Sequence, residues 1–176
     1  MTVSLRAAVP DDIPFLVGLA TDPDVASYLA AGRVVTVDAV VEQIARSEAE
    51  PDAFGVLVFE LDGERAGTAT WELVNRRSRI AAVSGIAVDP GLRGRGVGVA
   101  ASRALQTLLF RDLGLHRLQM EVYAFNDRGL RHAERAGWVR EGVRRRAYWR
   151  DGEWVDGILF GLLEDELTAE PGRQTV

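Results

Sequence analysis

Between Val88 and Val99 the chain reads Val-Asp-Pro-Gly-Leu-Arg-Gly-Arg-Gly-Val-Gly-Val. This stretch ends a strand and opens a helix with almost nothing between them. Pro90 cannot donate to a strand ladder, and Pro90-Gly91 breaks the extended run. Beyond the glycines at 94, 96 and 98, Val97, Ala101, Ala104, Leu105 and Leu108 recur at helical spacing to about Leu113, with Gly114 as C-cap. The first turn of a helix leaves about four N–H groups without intrahelical partners, and aligned peptide dipoles add roughly half a positive charge there. Glycines remove the Cβ atoms that would hold a pyrophosphate away from the backbone. Arg93 and Arg95 can add charge-assisted bonds to phosphate oxygens. The stretch is therefore a candidate anion site.

Composition narrows the ligand. All 21 basic residues of this 176-residue chain are arginine, so the loop lacks the lysine of a Walker A motif, and no lysine can form a Schiff base. The spacing Gly94-x-Gly96-x-Gly98 departs from the dinucleotide fingerprint, and the strands before it read as an antiparallel meander rather than a parallel βαβ unit. With no cysteine there is no disulfide framework, thiolate nucleophile or Cys-ligated metal site. His116 and His132 have no metal-ligand spacing, and no metal is expected. A net charge of −5 argues against a dedicated nucleic-acid binder and mildly favours a cationic partner. No leader or membrane span is legible, and the expected location is cytoplasmic.

Along the chain, Val3–Ala7 alternates like a strand. Asp11 and Asp12 precede a helix carrying Ile13, Leu16, Val17 and Ala20. A second helix is expected over Asp22–Ala30, ending at Gly32, and Thr36 caps a third over Val37–Glu48. Phe54–Leu61 is nearly continuous in apolar residues, so both faces of that strand should be covered. Asp62-Gly63 turns into a strand from Arg65 to about Val74, and Asn75–Ser78 turns into another over Arg79–Val88. A strand over Leu118–Phe125, a polar helix over Asp127–Ala136 and two strands over Trp138–Trp149 and Glu153–Leu163 follow. In an extended strand Arg144, Arg145 and Arg146 would point to alternate faces rather than form one patch. The reading is a single α+β domain over residues 1–167, with residues 168–176 as a loose tail.

Arg93-Gly94-Arg95-Gly96-Val97-Gly98 resembles the R/Q-x-x-G-x-G/A signature of the GNAT N-acetyltransferases, which bind acetyl-coenzyme A. Asn126-Asp127-Arg128 and Ala136-Gly137-Trp138-Val139-Arg140-Glu141-Gly142 resemble the family's second landmark: an asparagine after a strand, a helix, then Gly-aromatic and Glu-Gly. The segment from Arg146 to Asp156 is similar to the subgroup typified by ribosomal-protein N-terminal acetyltransferases (RimJ/RimL-like). The likeness runs from about Val3 to Leu163.

The resemblance implies a mixed, mostly antiparallel sheet of about seven strands, flanked by helices and splayed at the coenzyme site. It implies that Ile86, Ala87 and Val88 offer backbone groups to pantetheine. The backbone N–H near Ile86 would polarise the thioester carbonyl, and Arg93, Gly94, Arg95, Gly96, Val97, Gly98 and Asn126 would line the coenzyme. A bulge is expected at Ser84-Gly85. An amine would attack the thioester directly, with no covalent enzyme intermediate. The acceptor would be a protein N-terminus or a small amine, and a homodimer is compatible with the subgroup.

Three positions where relatives carry acid–base side chains hold Ala133, Gly129 and Val83. Glu72 and Ser84 are the nearest remaining catalytic candidates, with Tyr123 behind them. The same three vacancies motivate an alternative, a non-catalytic acyl-coenzyme A-binding or regulatory module.

Overall fold

The computed structural model describes residues 2–29 and 35–167. Among the described residues seven strands form one sheet: β1 (Val3–Ala7), β2 (Phe54–Leu61), β3 (Glu64–Asn75), β4 (Ile80–Val88), β5 (Arg117–Tyr123), β6 (Val139–Arg150) and β7 (Glu153–Leu163). Their spatial order is β1-β2-β3-β4-β5-β7-β6, and only β4 and β5 run parallel. The helices are α1 (Ile13–Thr21), α2 (Pro23–Ala26), α3 (Val37–Ala49), α4 (Val97–Thr107) and α5 (Asp127–Arg135). This is the mixed, mostly antiparallel sheet flanked by helices that the resemblance implied. Among the described residues no helix is long and apolar enough to cross a membrane.

Alternation assigns each strand a face. Ala69, Trp71, Ala81, Val83, Leu118 and Met120 pack under α4 with Ala101, Leu105 and Leu109. The opposite face carries Val56 and Val58 against Leu16 of α1 and Val40 and Ile44 of α3. The strand β2 is buried on both sides, as its apolar run predicts. Burying a side chain such as Leu105 contributes about 1.5–3 kcal/mol, so these two layers set the position of α4 relative to β4.

At the start of the chain, Asp12 has no accessible side-chain surface and accepts bonds from Arg6, Arg65 and the Val9 N–H. The two guanidiniums and the amide hold its carboxyl well below the usual carboxylate range.

Local departures from the sequence expectation have identifiable causes. The helix expected over Asp22–Ala30 is helical only over Pro23–Ala26. The carbonyls of Ser27 and Leu29 instead accept bonds from the Arg150 guanidinium at 2.7 and 2.8 Å. Ala30, Gly32 and the expected tail lie outside the described residues. The helix expected to reach Leu113 widens after Thr107 into a π turn over Leu108–Asp112, which seats both Leu109 and Phe110 in the core. In β6 the register shifts between Arg144 and Tyr148 and Arg146 takes φ +48°, so simple alternation fails across the arginine run.

Candidate active site

The pairing of β4 with β5 covers only Ile80↔Arg117, Ala81↔Leu118 and Ala82↔Gln119. Beyond Ala82 the two strands have no shared partners, and the sheet opens. On its other edge β4 carries the expected bulge: Ser84 pairs with Thr70 and Ala87 with Thr68, so Gly85 and Ile86 stand opposite one residue. Gly85 takes φ +61°, a left-handed conformation that favours glycine. Ser84 and Gly85 are exposed and Ile86 is half-buried. The bulge therefore turns the Ile86 backbone out of the regular ladder at the mouth of the opening.

The glycine loop lies at the C-terminal end of β4. Asp89 Oδ1 accepts from the Gly91 N–H at 2.8 Å and fixes the turn. Gly94 and Gly96 take φ +78° and +81°, and no heavy atom lies within 4 Å of where a Cβ would stand on either. Gly96 is the N-cap of α4, so the free N–H groups of the first turn, Val97 among them, open onto that clear space. The cradle is open and presents backbone donors, the chemistry that an anion such as a pyrophosphate requires, and the strand opening lies beside it.

The other coenzyme candidates divide. Arg95 is exposed and has no hydrogen bond or ion pair among the described residues. Arg93 instead ties the loop inward, donating to Val88 O and Asp24 O, each at 3.3 Å. The Val97 side chain is buried, which leaves only its backbone for a ligand. A Cβ on Gly98 would stand 3.2 Å from Val88 Cγ2 and 3.3 Å from His132 Cε1, so this glycine serves close packing of α4 on β4 and α5. Burial pushes the His132 imidazole below its ordinary pKa and favours the neutral ring. Asn126 caps α5, its Oδ1 accepting from the Gly129 N–H at 2.8 Å.

The vacant positions are structurally accounted for. Ala133 and Val83 are core residues. A side chain on Gly129 would meet the Asn126 amide at 2.6 Å and Val122 Cγ1 at 2.9 Å.

The face opposite α4 holds the remaining candidates. Ala81 and Leu118 point into the core under α4, so Ala82, Ser84, Gln119, Glu121 and Tyr123 point the other way. Ala87 confirms that side by packing on Leu19 of α1 and Val25 beside it. Glu72 shares this face but pairs with Ala82, at the closed end, and its Oε1 accepts from Arg46 at 2.6 Å. Ser84 and Glu121 each lie two residues beyond the last β4–β5 pair, on the two lips of the opening.

Glu121 escaped the reading of the sequence, and Tyr148 stands beside it. The Tyr148 ring meets Tyr123 edge-on at 5.1 Å, and Tyr123 stacks on Phe125 at 5.3 Å. Arg150 lies 5.0 Å over Tyr123. Burial first, and the neighbouring Glu121 carboxylate second, push the Tyr148 phenol above its ordinary pKa. The available signal was the alternation Gln119, Glu121, Tyr123 against Leu118 and Met120, which already put a carboxylate on the non-core face of β5. Among the described residues, no cluster of His, Asp or Glu could hold a metal ion.

Residues 2–139 match the family model for the acetyltransferase (GNAT) domain. The SPbeta prophage-derived uncharacterized N-acetyltransferase YokL of Bacillus subtilis (strain 168) is 24% identical over 170 residues, 97% of this chain and 94% of that protein. The putative ribosomal N-acetyltransferase YdaF of the same organism is 30% identical over 97 residues, covering 55% and 51% of the two chains. Among solved structures, the spermidine N-acetyltransferase of Vibrio cholerae, in complex with CoA and spermine, superposes with a TM-score of 0.83 at 21% identity, over 94% of this chain and 97% of that one. With the family model spanning the glycine loop, the bulged strand and the Asn126 cap, the chain belongs to the GNAT family of acetyl-coenzyme A-dependent N-acetyltransferases.

Proposed function

We propose that the protein transfers an acetyl group from acetyl-coenzyme A to a single primary amine, a protein N-terminus or a small monoamine. The observation that carries this reading is the pairing of an open glycine cradle at α4 with a β4–β5 opening that begins after Ala82. In it, the N–H groups at Gly96–Gly98 and the exposed guanidinium of Arg95 hold the pyrophosphate. Backbone groups of Ile86, Ala87 and Val88 align the pantetheine arm, and the side-chain amide nitrogen of Asn126 remains available to it. When bound, acetyl-coenzyme A supplies an activated acyl carbon.

The chain's own contribution is position and polarity. The Ile86 N–H, displaced by the bulge, is placed to donate to the thioester oxygen as negative charge grows there, a type of contact worth roughly 3–4 kcal/mol in acyl transfer. Ser84 lies on the amine side of the same strand and can hydrogen-bond the incoming nitrogen. Holding amine and thioester in register supplies much of the remaining acceleration. The bond from Glu72 to Arg46 ties β3 to α3, so Glu72 serves this site by fixing its wall rather than by meeting the amine.

Charge around the opening supports a monoamine. Arg144 lies 3.2 Å from the Glu121 carboxylate, and Arg150 covers Tyr123. Two guanidiniums beside one carboxylate repel an acceptor with several ammonium groups, whatever the net charge of the whole chain. An α-amine has an ordinary pKa near 7.7–8.0 and so presents a sizeable neutral fraction at neutral pH. The test is thiol release from acetyl-coenzyme A with a free-N-terminus peptide, benzylamine and spermidine. Turnover with the first two and little with spermidine is expected. Coenzyme binding without amide formation on any of them would overturn the reading.

A further inference from the structure

A row of aromatic rings stands on the amine side of the β4–β5 opening. Tyr123 stacks on Phe125 at 5.3 Å with 10° between the ring planes, Phe125 meets Tyr28 at 6.1 Å, and Tyr148 closes on Tyr123 edge-on at 5.1 Å. Three separate parts of the chain supply it: the segment after α2, the end of β5, and β6. Tyr28 and Phe125 nevertheless remain 39% and 43% exposed. Rings gathered only to build a core would be covered, since each hides about 150–250 Å² when buried. A single exposed apolar side chain is ordinary, whereas a contiguous group beside a reaction site marks a surface that a ligand covers.

The row is fixed in place by the chain itself. Both terminal nitrogens of Arg150 donate to the backbone on either side of Tyr28, to Ser27 O at 2.7 Å and Leu29 O at 2.8 Å. The same guanidinium lies 5.0 Å over the Tyr123 ring. Leu29 packs inward against the cluster of Leu19, Val25 and Ala87, while Tyr28 faces Phe125. Arg150 therefore acts as a clamp on this wall rather than as a receptor for an acceptor carboxylate. Rings held in this way lose little freedom when a ligand covers them.

Strand register sets the wall against the chemistry. The last β4–β5 pair is Ala82↔Gln119, and Ile86 and Tyr123 each stand four residues beyond it on parallel strands. The bulge at Gly85 takes up one residue, so Tyr123 lies within about 3.3 Å of the level of Ile86 along the strands. Tyr123 and Ser84 both point away from α4. Whatever the acceptor nitrogen carries therefore meets aromatic carbon within a bond or two of that nitrogen.

We propose that Tyr28, Phe125 and Tyr123 seat an aromatic ring that the acceptor carries one or two carbons from its primary amine. The inference rests on the acetyl-transfer reading above and names the acceptor class. An arylalkylamine and a chain that begins with an aromatic residue present this same chemistry. The acceptor ring continues the offset and edge-on contacts that the row already makes.

The experiment measures kcat/KM for amide formation with two matched pairs of acceptors. One is phenethylamine against n-butylamine; the other is a peptide beginning with phenylalanine against the same peptide beginning with alanine. Wild type should favour the aromatic member of at least one pair by about tenfold or more. A preference in the amine pair, the peptide pair or both supports the proposal and identifies the source of the ring. Phe125→Ala, which removes the ring between Tyr123 and Tyr28, should cut that ratio at least about threefold, mainly through KM, with coenzyme A affinity within about twofold of wild type. Tyr28→Ala, farther from the strands, gives the same reading where thermal unfolding shows Phe125→Ala to be destabilised. Trp154→Ala removes an exposed ring that pairs with Trp149 instead, and the ratio should stay within about twofold. A ratio below about tenfold in both pairs would overturn the proposal while leaving acetyl transfer standing; it is the result expected if the rings only held the ammonium on their π faces. A ratio changed less than about threefold by removal of the ring would overturn it as well. A wild-type protein that binds coenzyme A but acetylates none of the four acceptors would remove the acetyl-transfer reading, and this inference with it.

Discussion

The α-carbon of Gly157 on β7 lies against the Glu121 carboxylate on β5, with no space for a Cβ between them. A glycine inside a strand ordinarily weakens it, so its presence is best explained by what it accommodates. Gly157→Ala must push the carboxylate aside and crowd Tyr148. Expected outcomes are a loss of about 1–3 kcal/mol in stability from overpacking and a fall in kcat/KM that exceeds any change in coenzyme A affinity. Chemical denaturation and a binding titration on the same preparation separate the two effects.

The anchor of the N-terminal strand makes a different prediction. Asp12 is fully buried, bonded to Arg6 at 2.6 and 2.9 Å and to Arg65 at 2.6 Å. Removing one partner of a buried charge set strands the others, and Asp12→Ala should cost about 3–5 kcal/mol. The sign of the pH dependence follows from the lowered pKa. A depressed carboxyl contributes stability that is fully present above the unfolded value of about 3.9 and is lost as pH falls through the folded value. Wild type should lose stability progressively below about pH 4, and Asp12→Ala should show a flatter acid limb in thermal unfolding.

At the glycine loop the expected loss is of binding, not of fold. Gly96 holds φ +81° in open space, so Gly96→Ala adds strain of roughly 1–2 kcal/mol without a clash. Gly96→Asp adds a negative charge where the pyrophosphate must approach. Calorimetry should show coenzyme A affinity weakened about tenfold by alanine and beyond detection by aspartate, with little change in thermal unfolding.

Gly129→Ser adds a hydroxyl at one of the three vacant acid–base positions, yet it should not raise the rate. The new Cβ would meet the Asn126 amide and Val122, displacing the cap of α5. The variant should lose about 1 kcal/mol or more of stability and gain no turnover, measured by denaturation and thiol release.

Much of this architecture was legible in the residues because local chemistry decides it. The Asp62-Gly63 turn, the double-sided apolar run of β2 and the Gly94–Gly98 loop each impose one local structure, and each appears as expected. The bulge at Gly85 was legible through family likeness. What stayed hidden depends on distant partners. The chain leaves the helix after Ala26, and Arg150, more than a hundred residues away, takes the carbonyls of Ser27 and Leu29. The positive φ at Arg146 and the register shift beside it redirect a run that sequence alternation would have split between faces. Glu121 was hidden for the same reason: its significance lies in the end of β4–β5 pairing after Gln119 and in the space left by Gly157.

Acetyl transfer to an amine at the β4–β5 opening requires the coenzyme to sit at the glycine loop. The most direct measurement is mass-spectrometric detection of amide formation on a free-N-terminus peptide, with acetyl-coenzyme A as donor, for wild type and Gly96→Asp side by side. Wild type should form N-acetylated peptide in step with coenzyme A release, and Gly96→Asp should form none. Amide formation undiminished in Gly96→Asp would contradict the placement of the coenzyme at this loop, and its absence in wild type across monoamines would contradict the function itself.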